Sequence, residues 1–428
     1  MKTPIAILVL CIINCSVKAQ FFDHIKDKIN QKVNSAIDKS IDGAGNKKKK
    51  DSGKATDSVG KSAAGVDSAG TGVANNGGPP QELKAYSKFD FVPGEKIIVE
   101  ENFSQDAIGE FPDKWNTKTS AEIVTLNNRS GKWLCMKQDG VFFPEYIPDL
   151  PDNFTLQVDI LTNNKTSSIG SLIIVLASSK DKDAREKFDL GSSTSSINTP
   201  GIKLDLNPLY SGDGNISYAS HALGNASVRG LEEFHVPDKP FATVSIWRQK
   251  QRVRVYINST KMFDLPRALE PDALINSLIF GAYAVDYDKK GGAFYLSNIR
   301  LAVGAPDTRN KLITEGKFVT HGILFDINSD QIQAPSYGAL QDIANTLKAN
   351  PTVRVKIVGH TDSDGDDKTN LDLSQRRAEA VKTALISTFG IDASRMDTDG
   401  KGKTQPVDSN ATPEGKANNR RVEFIKLK

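Results

Sequence analysis

The chain has 428 residues, 38% hydrophobic and 25% charged, with 55 Lys and Arg against 52 Asp and Glu. That length accommodates two ordinary globular domains with connecting material. The small formal charge of +3, and the lack of any basic stripe interleaved with aromatics, argue against nucleic acid as a partner.

The first stretch, MKTPIAILVLCIINCSVKAQ, sets a lysine before an apolar run from Pro4 to Ile13 and ends in a small-residue site at Ala19. This is the layout of a secretory signal peptide over residues 1–19, cleaved near Ala19. The run is too short to span a bilayer. Cys15 follows Ile-Ile-Asn, where a lipid-attachment signal has a small residue, which weighs against lipidation. Export then leaves Cys135, in Lys-Trp-Leu-Cys-Met-Lys, as the single cysteine of the mature chain, and its apolar neighbours mark it as a buried small hydrophobe.

Over residues 20–42 the apolar side chains Phe21, Ile25, Ile29, Val33, Ile37 and Ile41 recur every four positions. Such a stripe winds slowly round an amphipathic helix. Residues 21–41 suit a partner helix, an outer-membrane surface or a plain spacer. Residues 43–84 collapse to Lys, Ser, Gly, Ala and Asp, too poor in apolar surface to fold, and read as a flexible linker.

Residues 85–304 read as an all-β sandwich. In Arg-Val-Arg-Val-Tyr-Ile-Asn, Val253, Val255 and Ile257 alternate with Arg254 and Tyr256 as in a half-buried strand. FTLQVDIL, SLIIVLA, SLIFGAYAV and AFYLSNIRLAV supply further strands between Gly, Asp, Asn and Pro clusters, with no useful helical period between them. A transmembrane barrel is disfavoured by the charge density of SIWRQKQRVRVYINSTKMFDLPRAL. A sandwich glycosidase would need two closely spaced carboxylates on one strand, and no Glu-x-Asp-x-x-Glu pattern supplies them. From EENFSQDAIGEFPDKWNT to AFYLSNIRLA the pattern resembles the concanavalin-A-like lectin/glucanase jelly roll. The resemblance implies two curved antiparallel sheets and a glycan partner for the sandwich, with a purely structural spacer as the other reading.

Residues 312–428 change character, with an expected order β-α-β-α-β in a compact α/β layer. HGILFDINSDQIQ reads as the first strand and its loop. Leu340, Ile343, Ala344 and Leu347 mark a helix, and Val353, Val355 and Ile357 alternate with Arg354 and Lys356. A second helix is expected from Ser374 to about Phe389, stopped by Gly390. Between them lies GHTDSDGDDKTN. Its acids fail as a calcium loop: counted from Asp362 the glycine and glutamate places hold Asp367 and Leu373, and counted from Asp364 they hold Thr369 and Gln375. His360 and Asp362 have no partnered nucleophile, and no nucleophile elbow, zinc motif or P-loop occurs, so no catalytic residue, metal or cofactor is expected.

With Ser374 as N-cap, Arg377 falls in the first helical turn, where a cation costs about 0.3–1 kcal/mol unless an anion is near. Arg377 then either pairs with Asp362 or Asp366, or shares a pocket for a zwitterion. In the second reading Asp362 takes an ammonium, Arg377 a carboxylate, and Asn370 fixes orientation.

GHTDSDG…NLDLSQRRAEAVKTAL, with GKGKTQPVDSNATPEGKANNRRVEF, closely resembles the OmpA-like peptidoglycan-binding domain from about Gly322 to Phe424. The resemblance implies noncovalent binding of the diaminopimelate in the cell-wall stem peptide. Its ligand positions fall on Asp362, Asn370 and Arg377, with a further polar contact at Asn328. Arg420 and Arg421 match its terminal signature and either brace the loop against the last strand or touch ligand. No eight-stranded barrel precedes the domain. The expectation is a multidomain, non-enzymatic protein of the periplasm or cell outer membrane, an all-β jelly-roll sandwich followed by an α/β OmpA-like domain. The rival is a carbohydrate-binding or glycan-degrading sandwich anchored by that domain.

Overall fold

A computed structural model describes residues 90–428, apart from 164, 167–168, 189–196, 210–212, 225, 286–290, 305–307 and 309. The signal peptide, the helix over 20–42 and the linker over 43–84 lie outside these residues. Among the described residues no helix is long and apolar enough to cross a membrane.

The strand signals become a two-sheet sandwich. Its described strands are β1 (Lys96–Glu101), β2 (Trp115–Thr117), β3 (Ala121–Leu126), β4 (Arg129–Met136), β5 (Gly140–Pro144), β6 (Asn153–Thr162), β7 (Ser171–Ala177), β8 (Gly201–Asn207), β9 (Asn215–Ser220), β10 (Ser227–Gly230), β11 (Phe241–Gln249), β12 (Arg252–Ile257), β13 (Thr260–Leu265), β14 (Ser277–Tyr283) and β15 (Phe294–Val303). One sheet runs β13-β12-β11-β6-β15-β4-β3, with β1 also paired to β15; the other runs β10-β9-β8-β7-β14-β5-β2. Alternation sends Leu156, Val158 and Ile160 of β6, and Leu204 and Leu206 of β8, into one shared apolar core. Trp115 stacks on Phe280 there at 5.7 Å.

Two departures from the sequence reading have physical causes. Tyr256, expected on a half-exposed face, is fully buried because Phe91, Trp247 and Tyr337 cover it, and its hydroxyl donates to Asp90 at 2.9 Å. A one-turn helix α1 (Lys182–Glu186) forms where none was expected, with the Asp181 side chain accepting from the Ala184 N–H.

The C-terminal elements are β16 (Lys317–Thr320), α2 (Tyr337–Ala349), β17 (Val355–Gly359), α3 (Asp367–Ser387), β18 (Met396–Gly400), α4 (Pro413–Asn419) and β19 (Val422–Lys426). The sheet order is β16-β19-β17-β18, with β17 and β18 parallel and the other pairs antiparallel. The first strand lies earlier than expected, and the HGILFDINSDQIQ stretch contributes one bridge, Phe325 to Ile332. Strand β18 and helix α4 enlarge the expected order to β-α-β-α-β-α-β.

Helix α3 begins seven residues before Ser374. Asp366 is its N-cap, accepting from the Thr369 N–H at 2.9 Å, and Gly390 beyond its end takes φ +68°. Ser374 is buried mid-helix, where its hydroxyl donates to the Leu371 carbonyl and accepts from the Gly402 N–H. That close approach needs glycines. A Cβ on Gly359 would meet the Ser374 carbonyl oxygen at 2.2 Å, and one on Gly400, its neighbour in register, would meet the Ser374 hydroxyl at 2.6 Å.

Sandwich and C-terminal sheet belong to one compact unit, Lys88–Lys428. At the join Asn418 on α4 serves the outer edge of β1 as a strand would: the Ile97 N–H donates to its Oδ1, and its Nδ2 donates to the Ile97 carbonyl, each at 2.9 Å. Ile97, Ala302 and Ala417 pack beside this pair, and His321 Nε2 donates to the Asn418 carbonyl at 2.9 Å.

Candidate functional site

The loop after β17 is held from several sides. The His360 N–H donates to the Arg421 carbonyl at 3.0 Å, the Thr361 N–H to the Gly402 carbonyl at 2.9 Å, and the Ser363 N–H to Asn410 Oδ1 at 3.1 Å. These bonds fix Asp362, which is 9% exposed. Its Oδ1 accepts from the Asp364 N–H at 3.0 Å, and its Oδ2 from Arg420 Nη1 at 2.6 Å. Asn370, in the first turn of α3, donates through Nδ2 to the Asp364 carbonyl at 2.7 Å and so shapes the same loop.

Arg377 lies in the middle of α3, not its first turn, so the helix dipole does not act on it as the sequence reading supposed. Its guanidinium rests 4.8 Å over the Phe325 ring, with Nε donating to the Ser329 carbonyl at 2.9 Å and Nη2 to the Asp326 carbonyl at 3.3 Å. Among the described residues its Nη1 has no hydrogen-bond partner. Burial and then the Arg420 charge lower its pKa to about 10, with Asp362 opposing, so it stays cationic at neutral pH. Asn328 sits at the exposed tip of the turn that supplies those carbonyls, at φ +53°, a left-handed conformation that asparagine tolerates. The structure thus gathers Asp362, Asn370 and Arg377, with the Asn328 turn clipped to the arginine.

Of the two readings of Arg377, the ion pair with Asp362 or Asp366 does not form. Asp362 is taken by Arg420, and Asp366 caps α3. Arg420 braces the loop, and its Nη2 also donates to Glu100 Oε1 on β1 at 3.3 Å. Arg421 is buried against Glu423, with Nη2 to Oε1 at 2.8 Å. Burial would raise the Glu423 carboxyl, yet His360, Lys317 and Arg421 hold it far below the usual range. His360 lies 3.6 Å from Glu423 with both ring nitrogens lacking hydrogen bonds.

The remaining acids are occupied: Asp364 pairs with Lys416 at 2.7 Å and Asp367 with Lys403 at 2.8 Å. Among the described residues no group of three His, Cys, Asp or Glu could hold a metal ion. Cys135 is free and buried, and burial pushes its thiol up to about 11, which suits the inert role expected of it.

A family model described as the OmpA family matches residues 324–420. The probable lipoprotein YiaD of Escherichia coli is 45% identical over 104 residues, 24% of this chain and 47% of the relative. The peptidoglycan-binding protein ArfA of Mycobacterium bovis is 41% identical over 108 residues, 25% of this chain and 33% of the relative. The chain therefore spans less than half the length of either curated relative. The crystal structure of the peptidoglycan-associated lipoprotein from Burkholderia pseudomallei is 31% identical, covers 28% of this chain and 100% of that one, and has a TM-score of 0.25. Residues 324–420 thus carry an OmpA family domain.

Proposed function

We propose that this chain is a non-enzymatic envelope protein that binds peptidoglycan noncovalently from the periplasm or the outer membrane, gripping the diaminopimelate of the stem peptide. Within a stem, the far end of diaminopimelate carries a free ammonium and a free carboxylate on one carbon. The observation that carries the reading is that a nearly buried carboxylate, Asp362, and a half-buried guanidinium, Arg377, act on one another without forming an ion pair, the Nη1 of Arg377 being uncommitted among the described residues. Asp362 accepts the ammonium and Arg377 the carboxylate, a charge-assisted pair at each end. Asn370 and the Asn328 turn set the walls. We assign the sandwich, with its two facing antiparallel sheets, to the jelly-roll class; it presents the site at a fixed position beside β1.

Sedimentation with purified sacculi tests the reading. Wild type pellets with the sacculi, while Asp362→Ala and Arg377→Ala stay in solution, because removing one partner of a desolvated charge pair costs about 2–5 kcal/mol. Equal pelleting of the variants contradicts the assignment.

A further inference from the structure

Arg420 touches two carboxylates from opposite ends of the chain. Nη1 donates to Asp362 Oδ2 at 2.6 Å, and Nη2 to Glu100 Oε1 at 3.3 Å. Glu100 is itself fixed, because Arg300, its register partner on β15, holds it through Nε to Oε2 at 2.8 Å and Nη2 to Oε1 at 3.0 Å. All three carboxylate and guanidinium partners are largely sheltered: the side chains of Glu100, Asp362 and Arg300 are 10%, 12% and 18% exposed, and Arg420 is 34% exposed. Burial raises the Glu100 carboxyl, and Arg300 and then Arg420 more than offset this, so it stays anionic.

We propose that the sandwich is a working part of the wall-binding site: Glu100 is a positioning residue that shares Arg420 with Asp362 and so leaves Asp362 able to accept an ammonium. The inference rests on the zwitterion reading above and adds the sandwich to it. The charges decide the direction. With Glu100 ionised, Arg420 divides its guanidinium between Glu100 and Asp362. Without that charge Arg420 passes wholly to Asp362, on which Arg377 also acts. An incoming ammonium then meets added repulsion and a competitor seated on its acceptor. The Asn418 clip between α4 and β1 keeps the contact in place, since Arg420 follows directly on α4.

The test is calorimetric titration of the full chain with free meso-diaminopimelate. Glu100→Gln weakens binding about tenfold, or about 1.4 kcal/mol, and Glu100→Asp, which keeps the charge, recovers part of the loss. Arg300→Gln loosens the same strand pair and removes the bonds that fix Glu100 but leaves both Glu100 and Arg420 in place, so its affinity falls by less than that of Glu100→Gln. Should Glu100→Gln fail to fold, Glu100→Asp carries the test, with an intermediate loss expected and wild-type affinity overturning the proposal. Wild-type affinity in Glu100→Gln, alongside lost binding in Asp362→Ala, overturns the role of Glu100 and leaves the zwitterion site standing. Equal losses in Glu100→Gln and Arg300→Gln reduce the effect to a loosened strand pair and also overturn it. Wild-type affinity in Asp362→Ala overturns the zwitterion site and this inference together.

Discussion

The sandwich and the C-terminal domain differ in where their buried polar groups lie. Between the two sheets one large apolar cluster runs from Phe103, Trp115 and Phe280 to Leu204 and Val244, while buried polar side chains such as Gln157, Lys203, Asp205 and Arg248 are spread over several strands of the sandwich. In the C-terminal domain the buried residues include His360, Thr361, Asp362, Asn370, Ser374, Asn418, Asn419, Arg421 and Glu423, gathered round one loop. An apolar core tolerates exchange of similar volumes, whereas a buried polar cluster holds only while its partners are satisfied. The sandwich is thus a scaffold of bulk, and the C-terminal domain spends stability on placing a few charges.

The largest effect that sharpens this contrast is Phe280→Ala. Removing a fully buried ring stacked on Trp115 leaves a cavity and costs about 3–5 kcal/mol in denaturant unfolding. While the chain remains folded, sacculus binding persists, because the ring touches none of the charges at the site. A loss below 1 kcal/mol would mean that the sandwich core is not close-packed as described.

A smaller effect concerns the join. Burial lowers the His321 pKa to about 4, with the bond to the Asn418 carbonyl opposing. Protonation is therefore disfavoured in the folded state. His321 leaves stability intact above pH ~6.5, the unfolded value, and removes it as pH falls from there towards 4, by roughly 3 kcal/mol in all. Unfolding free energies measured across that window should slope for wild type and flatten for His321→Gln. Identical slopes would show that His321 does not govern the join.

The same contrast explains what was legible in the sequence. Strands β6 and β12 announce themselves because a sheet face imposes period two, and β7 as a continuous apolar run buried on both faces, although the covering of Tyr256 by Phe91 and Tyr337 does not show locally. The proposal for Asp362, Asn370 and Arg377 comes from a motif that fixes residue types at set spacings. The start of α3 was misplaced because Ser374 looks like a cap, while the true cap, Asp366, hides in a run of acids. Strand β18, Met-Asp-Thr-Asp-Gly, has no apolar alternation and forms because β17 offers it a parallel edge. Glu100 lies 320 residues from Arg420, and nothing in either neighbourhood points to the other.

The central claim is recognition of a zwitterion by two opposite charges. The most direct measurement compares soluble muropeptides that differ only at the third stem residue. A lysine stem offers the ammonium to Asp362 but no carboxylate to Arg377, so diaminopimelate muropeptide should bind the full chain at least tenfold more tightly, and Arg377→Ala should erase the difference. Equal affinity of wild type for the two muropeptides would contradict the account.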